Sequence, residues 1–432
     1  MHEGLAYATT LMIVALVIAL PGTRLGLRLG PASIAGLGVA LLVLAGVVSP
    51  ADIIDGIAIL WRPFLTVLSI MLTTALAQRL GVLEYFAALI HFDPMRTRHN
   101  FFYVFTLSAL TSAVLNNDAA IMLVTPLIVS MVRRCYPKRP NLIVAFAFAV
   151  FSAAGVAPLV ISNPMNLIVA EYAGIGFNEY AVRMLPVSVL GWTITYAVLH
   201  VLFSRQLAFM NPDITQEIID TTQEKIDPVL SRPAKQFLIV MAVALGAYPL
   251  LSYAGGPVWG VAASAAAIGV ALAWHHRLAS PNELRLAVPW DILVFLFCVF
   301  VIVIGLRNVG FVGRIADVYA TATEPAAKIM LIGISSAVGS AVLNNHPMAI
   351  INALAITSLP DPTPYPVLAA LIGGDLGPRL LPMGSLAGLL WLGLLRKDGI
   401  YISHSQFIFV GILVTLPTLS FSLLLLVAMA AR

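Results

Sequence analysis

The sequence predicts an all-α polytopic membrane protein made of two inverted repeats, each with five transmembrane helices, one re-entrant hairpin and a helix broken at the membrane midplane. Three observations support this prediction. The composition is 60% hydrophobic and only 10% charged, with a mean hydropathy of +0.96. The hexapeptide Ser-Ala-Val-Leu-Asn-Asn occurs twice, at residues 112–117 and 340–345. Most Lys and Arg residues fall in loops that one topology places on a single side of the membrane.

The composition excludes a soluble fold, because so few charged residues cannot cover the surface of a 432-residue protein. Apolar runs of about 20 residues, the length that spans a bilayer, recur along the chain. The first run, from about Ala6 to Leu20, follows a leader without Lys or Arg, so we expect a retained helix rather than a signal peptide. The two cysteines, Cys135 and Cys298, lie in different halves and favour neither a disulfide framework nor a thiolate metal site. No cofactor is predicted.

The two halves contain the same parts in the same order. The first repeat, residues 1–204, has spans near 6–22, 31–49 and 60–79, a hairpin at about 100–132, and spans near 141–173 and 184–204. Residues 205–235 form the longest polar stretch and are predicted to be a cytoplasmic linker. The second repeat, residues 236–432, has spans near 236–254, 257–274 and 290–308, a hairpin at about 326–357, and spans near 365–395 and 406–430.

The first hairpin determines the predicted topology. Between His99 and Arg133 about 33 residues would have to supply the roughly 40 that two spans need, so we expect both ends on one side. Each half then crosses the membrane an odd number of times, which inverts the second half. With residues 133–139 in the cytoplasm, seventeen of the 24 Lys and Arg residues are cytoplasmic, six are outside, and Arg379 lies at membrane depth. The positive-inside rule favours this topology, which leaves both termini outside.

The repeated asparagines predict a site for a solute. Paired amides are costly in lipid, so their recurrence at the tips of both hairpins marks a place where protein or water satisfies them. Opposite the tips, prolines interrupt two apolar spans within residues 162–166 and 381–385, which frees backbone groups. Inverted repeats with broken helices at the midplane are typical of secondary transporters.

Four ionisable residues lie near these tips and interruptions: Asp118, His346, Asp375 and Arg379. For Asp118 a helix N-cap and a proton carrier are both open, because burial penalises the charged form of a carboxyl group. His346 either titrates or bonds to a carbonyl. Asp375 and Arg379 are spaced i, i+4, which favours a structural ion pair within one helix, although Gly377-Pro378 lies between them.

The sequence resembles the arsenite/antimonite efflux permeases of the ion transporter superfamily over essentially its full length. The segments that carry the resemblance are 115–120 with 125–126, 161–163 with Asn166, 176–181, 305–308, 344–347, and above all 374–379 with 382–387. His346 departs from the family pattern, in which an apolar residue such as Met is expected. The resemblance implies a transporter of the prokaryotic inner membrane, not an enzyme, that exports As(OH)₃ and Sb(OH)₃ in exchange for protons. It leaves room for a soluble ATPase subunit and for a homodimer, and it involves no nucleic acid.

This implied substrate suits the residues, because amides and hydroxyls bind a neutral trihydroxide better than an arginine clamp would. We expect Asp118 to couple transport to protons, with Asp375 as the second candidate and His346 as the third. The side chains expected to bind the solute are Asn116, Asn117, Ser162, Asn163, Asn166, Asn344, Asn345 and Ser385.

The sequence leaves two other functions open, an ion-coupled transporter with a different substrate and an intramembrane enzyme. A sodium-proton antiporter or a carboxylate or anion symporter of the same superfamily is the alternative, because such relatives have similar hairpins; ion-dependent flux without arsenite would favour it. An intramembrane enzyme would require the two halves to bring His346, Asp118 and Ser162 together as a nucleophilic set.

Overall fold

The structure, a computed structural model, describes residues 2–19, 30–82, 85–86, 95–136, 139–208, 230–360 and 363–431. Within these ranges the chain is helical and contains no strand. The helices before the predicted linker are His2–Ala19, Pro31–Leu44, Pro50–Arg79, Thr97–Val114, Asn117–Cys135, Pro140–Ala153, Pro164–Tyr172, Phe177–Leu202 and Ser204–Leu207. Those that follow are Arg232–Tyr253, Val258–His275, Pro281–Ala287, Trp290–Asn308, Phe311–Ala320, Pro325–Leu343, Asn345–Thr357, Tyr365–Leu376, Leu386–Lys397 and His404–Ala430.

Seven of the described helices are long and apolar enough to cross a membrane, and three shorter ones are also apolar. The seven are Pro50–Arg79, Phe177–Leu202, Arg232–Tyr253, Val258–His275, Trp290–Asn308, Pro325–Leu343 and His404–Ala430. An all-α polytopic membrane protein is therefore confirmed for the described part of the chain. The centre of the predicted linker, residues 209–229, lies outside the described residues.

Each copy of the repeated hexapeptide lies at the turn between two helices. Hairpin 1 consists of Thr97–Val114 and Asn117–Cys135, with tip 1 at residues 112–118; hairpin 2 consists of Pro325–Leu343 and Asn345–Thr357, with tip 2 at residues 340–346. Hairpin 1 extends beyond the expected limits of 100 and 132. Its 18-residue first arm is about 27 Å long, close to the ~30 Å hydrocarbon core. Length alone therefore does not separate a re-entrant arm from a span, and re-entrance stays a prediction.

Two helices are interrupted where the sequence places pairs of prolines. Break 1, residues 154–163, follows Pro140–Ala153 and contains a short 3-10 turn at Val160–Ser162. Break 2, residues 377–385, follows Tyr365–Leu376 and contains two such turns. Proline lacks an amide hydrogen and clashes with the preceding turn, which weakens the helix at these points. Proline alone does not end a helix in this protein, because Pro63, Pro186 and Pro417 lie inside continuous helices. Each break ends on a polar N-cap: the Asn163 side chain accepts from Met165 N at 3.0 Å, and Ser385 accepts from Gly388 N at 2.9 Å.

Hairpin 2 packs very closely on the helix that leads into break 2. A Cβ atom at Gly373 would overlap the carbonyl oxygen of Gly333, and one at Gly377 would overlap that of Ala337. The glycines therefore permit a backbone-to-backbone approach, as small residues do between membrane helices. On the other side of the molecule, an aromatic cluster that includes Phe151 and Trp391 joins the helix before break 1 to the helix after break 2. The two breaks are held facing each other by this packing.

Candidate functional site

Tip 1 uses its two asparagines differently. The Asn116 side chain accepts a hydrogen bond from Asp118 N at 2.8 Å and so caps the second arm of the hairpin. The Asn117 amide instead donates to the carbonyl of Gly155 in break 1, at 3.3 Å. The half-buried Asp118 carboxyl group receives no hydrogen bond from the described residues. The N-cap expected of Asp118 is therefore made by Asn116.

Tip 2 repeats the cap with a different neighbour. The Asn344 side chain accepts from His346 N at 3.2 Å and lies 3.1 Å from His346 Nδ1. Because an amide oxygen can only accept, this contact requires the proton on Nδ1, which in the neutral imidazole leaves Nε2 as an acceptor. Nε2 is buried without a partner among the described residues, and the ring lies edge-on to Phe295. The Asn345 side-chain oxygen is likewise buried and unpartnered.

Asp375, at the end of the helix before break 2, bonds across to the first half of the chain. Its carboxylate accepts from the amides of Asn163 at 2.7 Å and Asn166 at 2.9 Å, and from Ala157 N at 3.0 Å. Three donors around one buried carboxyl group satisfy its charged form, which would otherwise be costly away from water.

Arg379 also bonds to the first half rather than to Asp375. The guanidinium donates to the carbonyl of Ser152 and, at 3.4 Å, to Thr195 Oγ1. The expected ion pair between Asp375 and Arg379 within one helix is therefore wrong. The regular helix ends at Leu376, and the 3-10 turn that follows gives Arg379 a different direction. Arg379 is 3% exposed, and its Nε has no partner among the described residues.

One cavity gathers side chains from both tips and both breaks. It offers about 30 Å³ to the centres of water-sized molecules, which is room for about two of them. Two of the lining residues carry a buried polar atom without a partner among the described residues: Arg379 at Nε, a donor, and Asn345 at Oδ1, an acceptor. The polar lining consists of Asn117, Asp118, Asn163, Asn345, Asp375, Arg379 and Ser385. This lining can bind a small hydroxylated solute through hydrogen bonds.

A second cavity, of about 280 Å³, shares Asp118 and Ala387 with the first. Asn116, Thr74 and Gln78 provide most of its remaining polar surface, and the rest of the lining is apolar. Asp118 therefore stands at the boundary between a small polar cavity and a larger, mainly apolar one.

The structure brings six of the predicted residues to the small cavity: Asn117, Asp118, Asn163, Asn345, Asp375 and Ser385. Five others lie elsewhere. Asn116 lines the large cavity and Asn344 caps His346, whose ring packs against Phe295. Ser162 donates to the carbonyl of Ala113 at 2.6 Å, and Asn166 bonds to Asp375 and Tyr180. The nucleophilic set that an enzyme would need is not assembled, because neither His346 nor Ser162 lines the cavity of Asp118.

Two residues of this region were missed. Arg379 was considered only as a structural ion-pair partner, and Tyr180 had no predicted role although it lies in the segment 176–181 that carries the resemblance. The spacing of Tyr180 from Asn166 gives no signal, because the two residues lie in different helices, Phe177–Leu202 and Pro164–Tyr172, joined by a turn. Among the described residues, no group of three or more His, Cys, Asp or Glu side chains is arranged to hold a metal ion.

The helical fold and the enclosed polar cavity define a polytopic membrane transporter. A family model described as "Arsenical pump membrane protein" matches residues 5–429, and the chain belongs to this family. The chain is 30% identical over 423 residues to the arsenical pump membrane protein of Escherichia coli strain K12, covering 96% of each. It is 29% identical to the protein of that name from Yersinia enterocolitica, over 95% of this chain and 96% of the relative. The resemblance stated from the sequence is thereby confirmed.

A solved structure shows the same fold at low sequence identity. The crystal structure of the YdaH transporter of Alcanivorax borkumensis matches with a TM-score of 0.63 and 16% identity, covering 100% of this chain and 98% of the other. At this identity the match supports the architecture alone. The family membership makes the chain an arsenic-related transporter and a multi-pass bacterial membrane protein.

Proposed function

We propose that this protein is a secondary transporter that exports arsenite, as As(OH)₃, and antimonite from the cytoplasm in exchange for protons. The observation that carries the proposal is the small cavity, where polar side chains from both tips and both breaks converge. Sites built at helix interruptions between two repeats are typical of secondary transporters. The membership of the arsenical pump family supports the choice of cargo.

The proposed architecture is two inverted repeats, residues 1–204 and 236–432, joined by a cytoplasmic linker at 205–235. Matched contacts between the halves support it. The capping residue Asp52, bonded to Ser49, accepts from Asn308 at 3.3 Å. Its counterpart Glu283, bonded to Ser280, lies 3.6 Å from Arg79. In each case the end of a long apolar helix of one half meets an acidic capping box of the other.

The cavity suits a small neutral trihydroxide. Hydroxyl groups both donate and accept hydrogen bonds, so they match the amide, carboxyl and guanidinium groups of the residues that line this cavity. Ser385 and Asn117 stand in the same lining for the remaining hydroxyls. The cavity has room for about two water-sized groups and is smaller than As(OH)₃, so the proposal requires the tips and breaks to move apart when the solute enters.

Asp118 is the first proposed proton carrier. Its carboxyl group is not engaged by the described residues, and it borders both cavities, so it can exchange a proton from one and respond to solute in the other. Asp375 is the second candidate; it shares the cavity, but three donors hold it. His346, with its free Nε2, is the third.

The proposed orientation places both termini outside the cell. In that orientation the large cavity opens toward the cytoplasmic ends of the helices, near Gln78 and Pro289, and gives cargo a route to Asp118. Two proposed partners, a soluble ATPase subunit and a second copy of the chain, rest on the family resemblance alone.

Arsenite uptake into everted membrane vesicles under an imposed pH gradient tests the proposed function. We expect uptake by the intact protein, with strong loss in Asp118→Asn and weaker loss in Asn345→Ala. The exposed residues Asp55 and Asn282 supply matched controls, Asp55→Asn and Asn282→Ala, which remove the same groups outside the cavity. Unaltered flux in both site variants would refute the site. Proton movement driven by sodium, without arsenite, would favour the sodium-proton antiporter instead.

A further inference from the structure

Tyr180 occupies a position that arsenite binding does not require. It lies in the first turn of Phe177–Leu202, is 0% exposed and does not line the small cavity. Its hydroxyl accepts from the Asn166 amide at 2.8 Å and donates to the carbonyl of Ala157 at 3.0 Å. A buried hydroxyl that both donates and accepts a hydrogen bond is satisfied, so it does not need a ligand as a partner.

Both partners of Tyr180 also bond to Asp375. Asn166 donates to Asp375 Oδ2 at 2.9 Å, and Ala157 N donates to the same oxygen at 3.0 Å. The four residues form a closed ring that joins Phe177–Leu202, break 1 and the end of Tyr365–Leu376. The hydroxyl of Tyr180 therefore orients the two groups that supply hydrogen bonds to one carboxylate oxygen.

We propose that Tyr180 is a positioning residue that sets how readily Asp375 binds a proton during the exchange. This inference rests on the proposed proton-coupled function. Without the hydroxyl, the Asn166 amide and the Ala157 peptide lose a shared partner and hold the carboxylate less well, so the protonated form gains. Groups that orient the partners of a functional residue commonly tune it in this way.

The charged and titratable groups around Asp375 are few. Arg379 lies in the break that follows it, Asp118 faces the same cavity from tip 1, and Tyr180 stands behind Asn166. Arg379 is anchored to the first half by Ser152 and Thr195 and does not depend on Tyr180. Removal of the Tyr180 hydroxyl therefore changes the support of Asp375 without removing a charge.

The test compares full-length Tyr180→Phe with the intact protein in everted vesicles. Arsenite uptake is measured at a constant pH gradient while the bulk pH is varied. We expect the pH profile of Tyr180→Phe to move toward alkaline pH by about half a unit to one unit, the effect of one hydrogen bond. The arsenite concentration for half-maximal uptake should change less than about twofold, because no cavity-lining group is lost.

Tyr319→Phe is the matched control. Tyr319 is 1% exposed, and its hydroxyl donates to Asn352 Oδ1 at 2.6 Å within the second half; neither Asn352 nor Ser335, its other partner, bonds to Asp375. It should lower the yield of folded protein as Tyr180→Phe does but leave the pH profile in place. Equal displacement of the profile in both variants would overturn the positioning role.

A double variant separates this inference from the proposed function. In Asp375→Asn, addition of Tyr180→Phe should produce no further displacement, because the group it acts on no longer titrates. An undiminished displacement there would refute the inference. Absence of proton-driven arsenite uptake in the intact protein would refute the proposed function instead. If Tyr180→Phe fails to fold, Asn166→Ser removes both the hydrogen bond to Tyr180 and a direct donor to Asp375, so it must displace the profile in the same direction and by more; an unmoved profile there would refute the inference.

Discussion

Tips 1 and 2 have the same six residues but differ in conformation and surroundings. Asn116 is extended, with a φ of 175°, whereas Asn344 has a φ of 79°, in the left-handed region that favours glycine. After the shared asparagines, Asp118 borders two cavities, and His346 folds back onto Asn344. The comparison teaches that the repeated segment encodes a capped turn, while the next residue and the packing decide what each turn does.

The packing of the two hairpins differs in the same sense. Hairpin 2 is pressed against the backbone of the helix before break 2, at Gly373 and Gly377. Tip 1 reaches break 1 through side chains, from Asn117 to Gly155 and from Ser162 to Ala113. Tip 2 is thus the more rigidly held, and tip 1 carries the accessible carboxyl group.

The largest effect is expected from Gly377→Val, which tests the rigid seat of hairpin 2. A side chain there overlaps the carbonyl of Ala337, so hairpin 2 must move, at a cost of roughly 3 kcal/mol or more. The yield and thermal unfolding of detergent-solubilised protein measure this. Gly393→Val is the control, since nothing lies within 4 Å of a Cβ atom at Gly393. An equal loss of yield and thermal stability in both variants would argue against close packing of hairpin 2 at Gly377.

Replacement of the last residue of each tip, Asp118 or His346, tests how the two tips differ in function. Asp118→Asn should lower proton-driven arsenite uptake at least about tenfold, because the proposed proton carrier is removed. His346→Met, which introduces the residue type expected from the family, should lower it less than about threefold, since His346 lies outside the small cavity. Uptake in everted vesicles measures both. A reversed order would transfer proton coupling to tip 2.

Removal of the second asparagine of each tip should have unequal effects on cargo affinity. Asn345 Oδ1 has no partner, so Asn345→Ala should raise the arsenite concentration for half-maximal uptake by about fivefold, the effect of one lost hydrogen bond. Asn117→Ala also frees the Gly155 carbonyl, so it should lower stability as well as affinity. Concentration dependence of uptake and thermal unfolding distinguish the two. Identical behaviour of the two variants would contradict the assignment of a free side-chain oxygen to Asn345 and a structural hydrogen bond to Asn117.

The smallest effect concerns the first asparagine of each tip. Asn116→Gly loses a side-chain cap, whereas Asn344→Gly loses a cap but relieves a positive φ. We expect Asn344→Gly to be the less destabilising by about 1 kcal/mol, seen as a difference in the thermal unfolding of the two variants. Greater damage from Asn344→Gly would show that the left-handed turn is not strained.

Local patterns predicted much of the architecture. Hydropathy identified a polytopic helical membrane protein, and the predicted interruptions at residues 162–166 and 381–385 overlap the ends of the observed ones, which begin earlier, at residues 154 and 377. The limits of hairpin 1 were set too narrowly: its helices begin at Thr97, after Arg96, which makes no side-chain cap, and end at Cys135. The i, i+4 spacing of Asp375 and Arg379 gave a wrong prediction of an ion pair, because the helix ends at Leu376 and its periodicity does not extend to Arg379.

The sequence by itself determined the membrane class and the duplicated tips, since hydropathy and paired asparagines act over a few residues. The limits of the breaks were decided by the tertiary structure, because other prolines lie inside continuous helices. Only the tertiary structure decided which amides face the cavity and which groups hold Asp375. Its bonds to Asn163 and Ala157 join positions 212 and 218 residues apart. The packing of the two halves determines these partners, because a buried carboxylate is stable only where the fold places hydrogen-bond donors around it.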